Sequence, residues 1–240
     1  MSGPVGGADP SDPSERAYDL WAGLHEGVDP RGSVWVAGWV RLVHRCARPL
    51  AGRGVRPDTV TLVGVLVAGT APVLATLPAG WPLLAVVAVL AAAVLDGVDG
   101  ALAARTGRAT AWGRVLDPLA DRCSDVLLLL VLLVLGAPWW LVGLVVVATL
   151  LLESVRAHAQ VAGLHGPGAI TVWERPARVI VAVLAVLMHL AELAARGLGV
   201  AVLPRVDGPG LVTALAVVAA LLAGAGLVSL VVAVRRALPG

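Results

Sequence analysis

Across 240 residues the chain is 58% hydrophobic and only 14% charged, against about 25% charged in an ordinary soluble domain. One soluble core cannot absorb that much Leu, Val and Ala, so apolar surface must face lipid, and the length allows one membrane domain behind a short polar leader. Net charge is +2, all 18 basic residues are arginines, and no basic stripe is interleaved with aromatics, which leaves nucleic-acid binding little support.

In chain order, residues 1–32 are polar and acidic at the start, with neither a basic opening nor an apolar h-region. They read as a disordered tail and not as a signal peptide. Residues 33–54 follow as an amphipathic helix lying in the membrane interface. Trp35, Trp39, Leu42, Val43 and Cys46 recur at helical spacing, while Arg41, Arg45 and Arg48 take another side. An ordinary packing helix is the plainer alternative. Cys46 and Cys123 sit in no metal-ligand or redox pattern and read as small apolar fillers.

Six apolar stretches then occupy residues 55–236, each about the 20 residues needed to cross a bilayer, at roughly 58–78, 82–104, 110–135, 138–160, 172–195 and 209–234. The expected fold is all-α: a polytopic membrane protein of six transmembrane helices behind the interfacial one. Leu77-Pro78-Ala79-Gly80, Gly136-Ala137-Pro138 and Gly166-Pro167-Gly168 punctuate the joins. Arginines crowd the segment before the first span, the second-to-third and fourth-to-fifth connections and the tail (Arg235, Arg236). Arg196 and Arg205 in the fifth-to-sixth connection are the exception. This asymmetry predicts a cell-membrane protein with both termini, and the even-numbered connections, in the cytoplasm.

Residues 95–125 break the apolar pattern (LDGVDGALAARTGRATAWGRVLDPLADRCSD). Asp96 and Asp99 are three apart and Asp117 and Asp121 four apart, so each pair shares a helix face. A turn around Thr106-Gly107-Arg108 folds the two helices antiparallel, bringing both pairs toward one cleft. One charge inside a membrane costs about 2.5–3.5 kcal/mol on insertion scales. Four carboxylates together call for hard divalent cations, two ions of Mg²⁺ or Mn²⁺, which bridge a pyrophosphate well. No Cys or His is placed to make a zinc site. Beside the acids, Gly97, Gly100, Ala101, Ala103 and Ala104 leave the helix face bare for a flat charged ligand, or else for close helix packing.

Asp96, Asp99, Gly100 and Ala103, followed by Gly113, Asp117 and Asp121 with eight residues between position 104 and Gly113, resemble the D-x-x-D-G-x-x-A-R … G-x-x-x-D-x-x-x-D signature of the CDP-alcohol phosphotransferases. The likeness extends over the six-span layout. It implies transfer of a phosphatidyl-type group from a CDP-activated lipid to a small alcohol with release of CMP. It also implies a homodimer, metal ligation by Asp96, Asp99, Asp117 and Asp121, and Asp121 as general base. The donor is expected at Gly100, Ala103, Arg105 and Gly113. Ala104 departs from the signature: the arginine comes one residue later, at Arg105, turned by about 100° on a helix.

After the fourth span, Arg156, His158, Arg175 and Arg178 are placed to recognise an acceptor that already carries a phosphate, because arginine forks suit phosphate. Glu174-Arg175-Pro176-Ala177-Arg178 resembles a segment of the actinobacterial phosphatidylinositol-phosphate synthases. Inositol phosphate is therefore the first expected acceptor and glycerol phosphate the second. Arginines paired with lipid headgroups are the plainer alternative. Asp58, at the edge of the first span, reads as an N-cap with a role near the donor as the alternative. A cation-coupled transporter and a non-catalytic relative are the rival functions. The acids cluster on one hairpin without a detectable inverted repeat, which disfavours the transporter.

Overall fold

The computed structural model describes residues 17–19, 21, 29–164, 169–199 and 208–238. Most of the expected tail lies outside those residues, as do Gly166-Pro167-Gly168 and Arg205. After a short 3-10 turn at Pro30–Gly32 come seven long helices, and no strand occurs among the described residues. They are α1 (Val34–Gly52), α2 (Pro57–Ala75), α3 (Pro82–Thr106), α4 (Gly113–Val134), α5 (Trp139–Val161), α6 (Arg175–Gly197) and α7 (Gly208–Ala237).

Local chemistry sets the helix ends. The Ser33 side chain accepts from Val36 N at the head of α1. Pro57 opens α2, where its missing N–H costs nothing. Gly107, at φ 63°, takes the left-handed turn that stops α3. The Thr110 hydroxyl then accepts from Gly113 N, 2.8 Å away, to start α4. Asp58 lies inside the first turn of α2 and so is not the N-cap the sequence led us to expect.

Five helices, α2, α3, α5, α6 and α7, are long and apolar enough to cross a membrane. The expected sixth, α4, has the length at 22 residues. Arg114, Asp117, Asp121, Arg122 and Asp125 fill its first half, however, and keep it from reading as an apolar span. Large apolar side chains such as Leu66, Leu83, Leu144 and Leu221 point outward, as lipid contact requires.

The chain divides into two compact units, Met1–Val63 with Val94–Pro118, and Gly64–Ala93 with Leu119–Gly240. In the first, Val43 and Ala47 of α1 pack with Val60 of α2 and with Val98, Ala101 and Leu102 of α3. Gly97 makes this close: a Cβ there would stand 2.8 Å from Val43 Cγ1 and 3.3 Å from Trp39 Cζ2. The Gly97 face is therefore covered by α1 and is not bare for a ligand. On α1 the buried stripe is Val40, Val43, His44 and Ala47, whereas Trp35 is 89% exposed and Leu42 also faces out. The expected apolar face thus splits into a packed part and an outward part suited to the lipid interface.

In the second unit the core is built largely from small residues. Ala71, Ala75, Ala85, Ala182, Ala185, Ala216, Ala219 and Ala223 all sit in one buried cluster with Leu128, Leu132 and Val145. Alanine lets helix backbones approach, and close packing is what holds helices together where lipid removes the hydrophobic drive. Helix α7 packs along both α5 and α6. Trp173, just before α6, is fully buried and donates from Nε1 to Thr149 Oγ1 of α5 at 2.8 Å.

Candidate active site

Within the first unit, the start of α2, the last turns of α3 and the start of α4 enclose a cleft of about 330 Å³. Asp58, Thr61, Asp99, Gly100, Ala103, Ala104, Arg108, Gly113, Arg114 and Asp117 are among the residues lining it. Asp99 is buried, and its Oδ2 accepts from Thr61 Oγ1 at 2.6 Å while Oδ1 accepts from Gly100 N at 2.7 Å. A Cβ on Gly100 would meet nothing within 4 Å, so this glycine does leave open space beside the acids. Gly113 differs: its Cβ would press on Thr110 Oγ1 at 3.2 Å and meet Asp58 Oδ1 at 3.5 Å. Gly113 therefore allows the 110–113 turn to close against α2.

Asp96 on α3 and Asp117 on α4 bring carboxylate oxygens within 4.8 Å of each other. Two carboxylates that close repel one another, and a cation held between them turns that repulsion into attraction. Oxygen-only donors at this spacing fit Mg²⁺ or Mn²⁺, as the residues predicted. Asp121 follows Asp117 by one turn of α4.

The cations at the cleft differ from the expectation. Ala104 lines it, and Arg105 is exposed and absent from its lining. Arg108 lines it instead, held by a bond from Nη1 to Gly54 O at 3.2 Å, and Arg114 joins it. Neither arginine stood out in sequence, because both read as positive-inside charges. Thr61 was missed too, since a threonine inside an apolar helix carries no signal of its partner.

The second unit gathers the other charged residues into a network. Arg175 donates to Asp121. Arg156 Nη2 donates to Glu174 Oε1 at 2.7 Å, and Arg122 lies within 3.7 Å of both Asp121 and Asp125 and 3.5 Å from Glu153. Burial alone would raise the Glu174 carboxyl. The bonds from Arg156 and from the Thr171 backbone and hydroxyl together outweigh it and hold Glu174 below the ordinary carboxylate range.

Of the four residues expected to meet the acceptor, Arg156 and Arg175 stand partly exposed while paired to carboxylates. His158 is exposed, with Nδ1 2.8 Å from Ser154 O of its own helix. Arg178 is fully buried and its guanidinium is shared between Asp125 and Glu153.

An acid pair from two successive helices beside an open, arginine-lined cleft is equipment for a metal-bridged phosphate. Comparison with known proteins agrees. A phosphatidylinositol phosphate synthase of Mycobacterium marinum is 34% identical over 157 residues, 60% of this chain and 64% of the relative, so the match spans just under two thirds of that protein. An archaetidylinositol phosphate synthase of Pyrococcus horikoshii is 31% identical over 158 residues, covering 63% and 79%. The crystal structure of the Mycobacterium tuberculosis phosphatidylinositol phosphate synthase with CDP-DAG bound superposes with a TM-score of 0.58 at 27% identity, covering 83% of this chain and 96% of that one. The same enzyme with manganese and citrate gives 0.57 at 25% identity, covering 82% and 90%. The profile of CDP-alcohol phosphatidyltransferases matches residues 55–225, and with Asp99, Gly100, Ala103, Gly113 and Asp117 of the signature lining the cleft, the chain belongs to the CDP-alcohol phosphatidyltransferase family.

Proposed function

We propose that this protein transfers the phosphatidyl group of CDP-diacylglycerol to a small alcohol that already bears a phosphate, inositol phosphate first, in phospholipid biosynthesis. The observation that carries the reading is the Asp96–Asp117 pair beside the open face at Gly100. The relatives' names supply the donor and acceptor class: CDP-DAG is bound in the solved relative, and the curated relatives make inositol phosphate lipids.

Asp96, Asp99, Asp117 and Asp121 would hold two divalent ions, which when bound neutralise the pyrophosphate and stabilise charge as its bond breaks. The acceptor hydroxyl oxygen attacks the phosphorus that carries the diacylglycerol, and the bond from that phosphorus to the bridging oxygen breaks. CMP leaves with the bridging oxygen, and the hydroxyl proton passes to Asp121. Thr61 fixes the Asp99 carboxylate. The open space at Gly100, with Ala103 and Gly113 lining the same cleft, is assigned to the cytidine nucleotide, and Arg108 and Arg114 meet its phosphates where Ala104 cannot. Arg105, absent from the cleft lining, is given no part in binding them. Arg156, His158 and Arg175 are assigned to the acceptor's phosphate.

The expected six-span arrangement, with α4 crossing as a charged span, and the placing of both termini and the cleft in the cytoplasm rest on the arginine asymmetry. A homodimer rests on family resemblance. Maleimide labelling in intact cells tests the orientation: in a cysteine-free background Trp81→Cys is expected to label from outside and Ala109→Cys only after permeabilisation. The reverse pattern would overturn it.

The function is tested with purified protein, radiolabelled CDP-diacylglycerol and a panel of inositol phosphate, glycerol phosphate, inositol and serine. Lipid product and CMP are expected with inositol phosphate, falling at least tenfold in Arg108→Gln and little in Arg105→Gln. Product with an unphosphorylated alcohol alone would move the acceptor class. No CMP release with any acceptor would favour the non-catalytic relative that Ala104 points to.

A further inference from the structure

Helices α4 and α6 are joined by two successive ion pairs. Arg175 meets Asp121, and one turn on along both helices Arg178 meets Asp125. The second rung is dry: the side chains of Arg178 and Asp125 are each 1% exposed. Arg178 Nη1 lies 2.6 Å from Asp125 Oδ2, and Nη2 lies 2.7 Å from Glu153 Oε1 of α5 and 3.0 Å from the Trp173 carbonyl. One guanidinium thus ties α4, α5 and the residue just ahead of α6.

We propose that Arg178, with Asp125 and Glu153, is a positioning residue: a buried register lock that sets α6 against α4 so that Arg175 is presented at Asp121. The proposal rests on the reading of Asp121 and Arg175 given under Proposed function. Cohesion is a poor reason for the rung, because a buried ion pair recovers little more than its desolvation cost and well-packed apolar residues replace it without loss of stability. What apolar packing lacks is direction. The buried apolar cluster of this unit is largely alanine, valine and leucine, whose contacts are non-directional. A planar fork has fixed donor directions. A slip of one residue turns Arg175 by about 100° around α6 and takes it off Asp121. With both terminal nitrogens bonded to carboxylates and a carbonyl and the whole side chain buried, Arg178 acts through its neighbours and not on the acceptor.

The test uses the full chain in detergent. Arg178→Met with Asp125→Leu removes one charge of each sign and leaves Glu153 its partners Arg122 and Arg156. The double variant is expected to melt within a few degrees of wild type and to bind Mn²⁺ as wild type does. Its kcat should fall ten- to a hundredfold and its KM for inositol phosphate should rise, with KM for the CDP-lipid unchanged. Asp125→Asn keeps the acceptor oxygen for Arg178 and should retain most of the activity. Spin labels at Leu119 and Ile180, both outward-facing residues of α4 and α6, give a readout independent of turnover. Their distance distribution should be narrow in wild type and in Asp125→Asn, and broad or shifted in the double variant. An unchanged distribution in the double variant, whatever its kcat, would overturn the lock. So would an Asp125→Asn protein as impaired as the double variant, which also decides the matter if the double variant does not fold. A wild-type protein without transferase activity would sink the functional reading alone, leaving the distance measurement to judge the lock.

Discussion

Thr61 and Asp99 show how a single hydroxyl carries part of the site. Asp99 is buried, and Thr61 Oγ1 gives it a side-chain donor at 2.6 Å from a different helix. Leaving a buried acceptor short of its donor costs about 1–3 kcal/mol. Thr61→Val keeps the shape and removes the donor, so thermal unfolding in detergent should show a loss of that size, and Thr61→Ser should restore most of it. A Thr61→Val protein as stable as wild type would mean that Asp99 is held by something else. At this scale the sequence was informative about the acids and silent about their partners. Four aspartates spaced three and four apart stand out against an apolar background, whereas Thr61, Arg108 and the burial of Arg178 depend on which helix faces which. Ala104 was visible as a departure, yet only the cleft showed that Arg108 and Arg114 are the cations lining it.

Elements were easier to read than residues, because hydropathy runs and Pro/Gly breaks mark the helix ends directly. The exceptions have physical causes. Helix α4 mixes a charged first half with an apolar second half, so length alone made it look like its neighbours. The small residues of α3 were ambiguous between ligand space and packing, and the structure divides them: Gly97 lies under α1 and Gly100 beside open space. Gly97→Ala should therefore cost about 1–3 kcal/mol by overpacking against Val43, with part of the loss recovered by adding Val43→Ala. Chemical denaturation of the single and double variants checks this, and additive losses would contradict it. Ahead of α6, Glu174 is held below its unfolded value of about 4.3, chiefly by Arg156 and Thr171 working against burial. Its contribution to stability is complete above that pH and is lost as pH falls through the lower folded value. Glu174→Gln should flatten that part of the acid-unfolding curve. An unaltered curve would show that another group titrates there.

For the whole molecule, composition alone pointed to a membrane, and five outward-apolar helices agree. The electrostatics follow a single logic in each unit. Acids that no soluble surface needs are kept either beside an open cleft or among arginines, where Asp121, Asp125, Glu153 and Glu174 meet Arg122, Arg156, Arg175 and Arg178. Sequence could name those charges but not pair them, since pairing depends on helix register and not on spacing along one helix. The proposed chemistry turns on divalent ions shared by acids of α3 and α4. Its most direct test is a Mn²⁺ titration of the purified protein in which free ion is read from its paramagnetic resonance signal, without substrate. Wild type should take up two ions, Asp117→Asn and Asp96→Asn should each bind less tightly by at least tenfold, and Asp19→Asn should bind as wild type. Equal Mn²⁺ uptake by wild type and both cleft variants would contradict the shared site and the chemistry built on it.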